Sequence, residues 1–164
     1  MDIEVTRSFG RSRAALLALV AAVAGLAGPA PGAAQMTSAP DFLVTVPSSH
    51  PFDETVSMIK QAIEGENFMI LHEINPQQML RMVGVRTGGM RQILYFHPRF
   101  MKRIVEANRN GGIEPPLKIL VMETPRGTMV RYHDPVHLFA PYDGLGEVAQ
   151  ELGSATERIV ATVR

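Results

Sequence analysis

Leu117-Lys118-Ile119-Leu120-Val121-Met122-Glu123-Thr124-Pro125-Arg126-Gly127-Thr128-Met129-Val130-Arg131-Tyr132 is the stretch on which the fold turns. Leu117, Ile119 and Val121 alternate on one side of the first half, and Thr128, Val130 and Tyr132 do so in the second. Period-two alternation of this kind marks half-buried strands. Between the halves, Thr124-Pro125-Arg126-Gly127 places proline and glycine where a tight turn needs them. The stretch therefore predicts a β-hairpin of Leu117–Glu123 and Thr128–Tyr132.

Working toward the N-terminus, Phe100, Met101, Ile104 and Val105 follow Pro98 at helical spacing, with Gly111-Gly112 as the stop. Gln92 to His97 reads as a strand ended by Pro98, and Asn67 to Ile74 as another, closed by Asn75-Pro76. Gln77 to Gly84 predicts a short helix, and Arg86 to Met90, with Gly88-Gly89, a loop. Phe52, Val56, Ile59 and Ile63 recur at i, i+4, i+7 and i+11, so this helix buries one stripe until Gly65 ends it. Ser48-Ser49-His50-Pro51 supplies cap candidates for it, with proline expected in the first helical turn. Asp41 to Val46 is the first strand. Beyond the hairpin, a last helix starts at about Gly146 and keeps Val148, Leu152, Ala155, Ile159 and Val163 on one side. The order β-α-β-(α)-β-α-β-β-α predicts an α+β fold of two layers, a mixed β-sheet with helices on one face. If the helix after Pro98 is a crossover, the third and fourth strands run parallel, and His97 and His133 fall at opposite ends of the sheet. If the third strand also runs antiparallel to the second, the same bookkeeping gathers His50, the His72 end of the second strand and His133 at one end.

The start of the chain reads as an address. Arg7, Arg11 and Arg13 precede the small and apolar run Ala14 to Ala27, and Gly32-Ala33-Ala34 supplies the small residues of a cleavage site. Fourteen residues are too few to cross a bilayer, which takes roughly 20. Residues 1–34 are therefore expected to be a secretory signal peptide, 35–40 a linker and 41–164 a single domain. Cleavage leaves about 130 residues, an ordinary domain size. The expected location is periplasmic or secreted, with no membrane span after cleavage.

Composition narrows the chemistry. The 164 residues carry 16 Lys+Arg against 16 Asp+Glu, for a formal net charge of zero. Without a basic excess, nucleic acid is not an expected partner. Cysteine is absent, which excludes disulfides, thiolate zinc, iron–sulfur clusters and a cysteine nucleophile. Five histidines and ten methionines remain, a pairing of imidazole and thioether that suits copper or haem b. Met58, Met101, Met122 and Met129 fall on helix stripes and strands, where methionine fills core gaps. Met79, Met82 and Met90 lie in the least regular stretch and are the better ligand candidates.

His133-Asp134-Pro135-Val136-His137 is the richest local phrase. Asp134 before Pro135 is a good N-cap with proline at the first helical position. The two imidazoles, about 13 Å apart in a straight strand, would then be folded toward the carboxylate. His133, Asp134 and His137 are accordingly the candidate metal ligands, and His97 the candidate cofactor ligand. The bland reading beside it is that Asp134 only caps, while His133 sits at a strand end. No G-x-S-x-G phrase and no phosphate loop occurs, so a non-enzymatic binding module is the expectation. A b-type haem or copper protein is the first rival, and an enzyme using His133 with Asp134 as base and orienter the second.

Several phrases together resemble one family. The helix Phe52-Asp53-Glu54-Thr55-Val56 leading to Gly65, the corner Phe96-His97-Pro98, the strand Pro116 to Val121 and Tyr132-His133-Asp134-Pro135 are similar to the domain of unknown function 302 family over Val44 to Phe139. The resemblance implies a two-layer α+β fold that dimerises, with no settled activity. His97, His133 and His137 depart from the family's usual residues, so the family does not account for them. With helices on one face only, the opposite face is expected to bury Leu117, Ile119 and Val121 in a homodimer.

Overall fold

A computed structural model describes residues 42–164. The signal peptide and linker expected over 1–40 lie outside the described residues. Five strands, β1 (Leu43–Pro47), β2 (Met69–Ile74), β3 (Met90–Phe96), β4 (Leu117–Thr124) and β5 (Gly127–His133), form one sheet in the order β1-β5-β4-β3-β2. Five helices accompany them: α1 (Phe52–Gly65), α2 (Pro76–Met82), α3 (Pro98–Ala107), α4 (Pro135–Phe139) and α5 (Gly146–Ala161). The α+β class and the order of elements are those read from the sequence, with α4 and a 3-10 turn over Arg109–Ile113 added.

Alternation decides which face is inside. Ile93 and Tyr95 of β3, Leu117, Ile119 and Val121 of β4, and Val130 and Tyr132 of β5 are all buried. They share one cluster with Ile59 and Ile63 of α1, Phe100 and Ile104 of α3, and Leu152 and Ile159 of α5. Each such side chain contributes roughly 1.5–3 kcal/mol on leaving water. Leu117, Ile119 and Val121 therefore pack under the chain's own helices, which corrects their expected place in a dimer contact. The face turned away carries the intervening Lys118, Leu120 and Met122. A buried polar tie crosses the layers: the Tyr95 hydroxyl meets Thr156 Oγ1 at 2.8 Å, and Thr156 donates to the Leu152 carbonyl.

The strand directions need a second correction. Every pairing is antiparallel, β3 with β4 included. The helix after Pro98 does not cross the sheet. It ends at Ala107, where Asn108 caps the 3-10 turn, and the chain returns to start β4 beside the end of β3, with Tyr95 opposite Leu117. Because β5 then runs back along β4, His97 and His133 lie at the same end of the sheet. Leu43 pairs with His133 and Pro47 with Met129, so His50, beyond Pro47, belongs to the other end together with the end of β2. The expected grouping of His50 with His133 does not form.

The hairpin forms as read: Thr124 pairs with Gly127 across Pro125-Arg126, and Gly127 takes φ 111°, a conformation that glycine allows. At α1 the expected proline placement shifts by one position. Pro51 is the N-cap residue itself, with no side-chain cap bond, while Ser48 and Thr55 bond one another at 2.7 Å.

Candidate functional site

Asp134 starts α4 as its sequence predicts. One carboxylate oxygen accepts the Val136 N–H at 2.9 Å, and Pro135 occupies the first turn. The other oxygen lies 2.8 Å from His137 Nδ1. The carboxylate accepts, so Nδ1 donates, and in the neutral ring His137 Nε2 keeps a free lone pair. The His137 side chain is 59% exposed. Asp134 thus gathers His137 and leaves His133 apart, and an enzyme built on a His133–Asp134 pair has no such pair here.

His133 closes β5, and its ring meets Phe42 edge-on at 5.0 Å. It lines a cavity of about 230 Å³ with Phe42, Glu114, Pro116, Leu117, Lys118 and Leu138. Burial first, then the Lys118 ammonium, push its pKa below the ordinary histidine value, against a weaker opposite pull from Glu114. Its ring is therefore neutral at neutral pH. Glu114 accepts from the Tyr142 hydroxyl, a bond that raises the Tyr142 pKa. Among the described residues, no group of three or more His, Asp or Glu stands close enough to hold one metal ion.

His97 takes a different part. It is the N-cap of α3, and its Nδ1 accepts the Arg99 N–H at 3.1 Å. A neutral ring used this way carries its hydrogen on Nε2, and a metal there requires that hydrogen to leave and the cap to break. Met69, Leu71, Phe96, Pro98 and Met101 surround it in an open apolar hollow of about 310 Å³. Soft thioethers are thus near His97, but in this geometry its ring offers no free lone pair.

A larger crevice of about 330 Å³ lies among Glu66, Phe68, Arg99, Phe100, Glu151 and Arg158. Most of its charged groups are already paired within the chain, Arg158 with Glu66 and Glu151 with Arg103, both at 2.7 Å, while Arg99 lies over the Phe100 ring. The His133 cavity instead presents an ammonium and an imidazole without a carboxylate bonded to either, and is the better candidate. Sequence reasoning named His133 but missed Phe42, Glu114, Lys118 and Leu138. These fall in three separated stretches, Phe42, Glu114 with Lys118, and Leu138, and no single local spacing joins them.

No curated protein matches the chain. A crystal structure of an uncharacterized conserved protein DUF302 from Bacillus stearothermophilus is similar with a TM-score of 0.71 at 20% identity, over 76% of this chain and 100% of that one. At that identity the likeness shows a common fold. No helix among the described residues is long and apolar enough to cross a membrane. The pattern of one family matches residues 44–163, so the similarity expected over Val44 to Phe139 extends through α5, and the chain belongs to the family described as Domain of unknown function DUF302.

Proposed function

We propose that the chain is an exported, non-enzymatic binding module that takes a small molecule in the His133 cavity. The observation that carries this reading is the convergence of a neutral imidazole, an ammonium and a carboxylate on a hollow otherwise walled by Phe42, Pro116, Leu117 and Leu138. Binding sites have this make-up, mostly apolar with a few placed polar groups. Export rests on the Arg-flanked run Ala14 to Ala27 and the small residues before Gln35. Intact mass of the periplasmic protein should begin at or near Gln35, and an uncleaved chain in the cytosol refutes export. A fragment screen read by NMR should move the signals of His133, Lys118 and Leu138 together. Fragments that shift only the Glu66–Arg158 crevice refute the cavity.

His137 supports a second reading, metal binding. Asp134 orients its ring as second-shell carboxylates orient metal-bound histidines. Absorption spectra after loading with copper or haem b, compared with the His137→Ala variant, test it: an unchanged spectrum in the variant removes this reading.

We propose the β2 edge as the homodimer contact, because Met69 and Leu71 are about half exposed there beside Phe96 and Met101. Adjoining exposed apolar side chains on a free edge strand are what a second copy covers.

A further inference from the structure

We infer that the ligand of the His133 cavity is a small carboxylic acid with an apolar chain, its carboxylate held by Arg131 and Lys118. The inference rests on the cavity reading above and adds the ligand's chemical class.

Arg131 precedes His133 by two residues on β5 and so projects from the same face. Its cross-strand partners are Thr45 on β1 and Leu120 on β4, neither of them charged. Arg131 stands outside the cavity lining, but its Nε is buried and has no hydrogen-bond partner among the described residues. A buried donor of this kind is rare and calls for a partner, and a carboxylate is the acceptor whose geometry a guanidinium fits best. Lys118 precedes Leu120 by two residues and stands diagonally across the ladder from Arg131, a separation long side chains span. It also lines the cavity. Neither Lys118 nor Arg131 is ion-paired to a carboxylate among the described residues, whereas Lys60, Arg91, Arg103 and Arg158 each are. Glu114 is the one acid in the cavity wall, and it is engaged by the Tyr142 hydroxyl.

The apolar part follows from the walls. Phe42, Leu117 and Leu138 offer no charge, and about 230 Å³ holds about eight atoms at roughly 30 Å³ each. The fitting molecule is a short fatty or aryl acid. Two other occupants fit less well. A second copy laid face to face brings Arg131 and Lys118 against their own images. An anionic membrane surface is favoured by clusters of four to eight basic residues, and this face has two in a chain of zero net charge.

Octanoate below its micelle concentration, with octanol as the uncharged probe, tests the assignment on the exported protein by calorimetry and NMR. Octanoate should bind at least ten-fold more tightly than octanol. Arg131→Gln should weaken octanoate at least ten-fold while leaving octanol unchanged, and Lys118→Gln should act in the same direction. If Arg131→Gln fails to fold, Arg131→Lys and Lys118→Gln carry the comparison. Equal binding of both probes, with no effect of either variant, overturns the carboxylate assignment and keeps the cavity. If neither probe shifts His133 or Leu138, the cavity reading itself falls. Binding to anionic vesicles with no octanoate binding overturns the assignment in favour of a membrane surface.

Discussion

His133 stands where burial and the Lys118 ammonium penalise its charged form. Its folded pKa lies below the unfolded value of about 6.5, so between the two values the unfolded chain binds more protons and stability rises with pH. Acidification from about pH 6.5 toward the folded pKa should lower stability, and His133→Gln should flatten that slope in denaturant melts at successive pH values. A slope unchanged in the variant excludes His133 as its source. Glu66 and Glu151 act in a different window. Bonds from Arg158 and Arg103 hold their pKa values below the usual 4.5, so their contribution is lost only as pH falls below that value. A glycine is equally constrained. A Cβ on Gly111 would collide with Leu145, which is fully buried. Gly111→Ala should therefore cost about 1–3 kcal/mol, read as a lower denaturant midpoint. At this scale the sequence was legible where chemistry is local. Asp134 before Pro135 reveals its cap, while the role of Lys118 depends on Phe42 and Leu138, residues far from it along the chain.

Elements were legible wherever period and punctuation agreed. The hairpin, α1 and α5 follow from alternation or a helical stripe, and each has one buried side. Strand direction was not legible, because it depends on where α3 ends. Glycines 111 and 112 read as the helix stop, yet Asn108 ends α3 earlier and opens the 3-10 turn, its side chain accepting the Asn110 N–H at 3.1 Å. That early stop returns the chain to the end it came from and makes the whole sheet antiparallel. α4 is the short element most dependent on one residue. Asp134 accepts the Val136 N–H and fixes the His137 ring. Asp134→Ala should cost about 1 kcal/mol, and Asp134→Asn, whose side-chain oxygen still accepts from Val136, should recover most of it. Equal melting temperatures for Asp134→Ala and the parent would show that α4 is held by Phe139 and its packing alone.

In the whole molecule the helices cover one face of the sheet, and the open face and the β2 edge both offer apolar side chains to a second copy. The open face offers Leu120, Met122 and Met129, but it also carries Arg131 and Lys118 without acids paired to them. Stacking two such faces about a two-fold axis sets like charges together, which disfavours that contact. The free edge of β2 has no such repulsion. Met69 is 52% and Leu71 51% exposed there. The strand is irregular between Ile70 and His72, and a bulge of this kind blunts continuous strand addition. Contact through side chains, not through an extended ladder, is the form of association this edge favours. Leu71→Glu places an acid at the centre of the patch, and its exposed position limits the cost to the folded monomer to about 0.5 kcal/mol. Light scattering of the purified protein at micromolar concentration should therefore show a dimer for the parent and a monomer for Leu71→Glu, with similar melting curves extrapolated to low concentration. A dimer that survives Leu71→Glu and is broken by Leu120→Glu would move the contact to the open face, and would set it in competition with the acid site at Arg131. A parent that is monomeric throughout would leave the β2 edge uncovered and remove the dimer altogether.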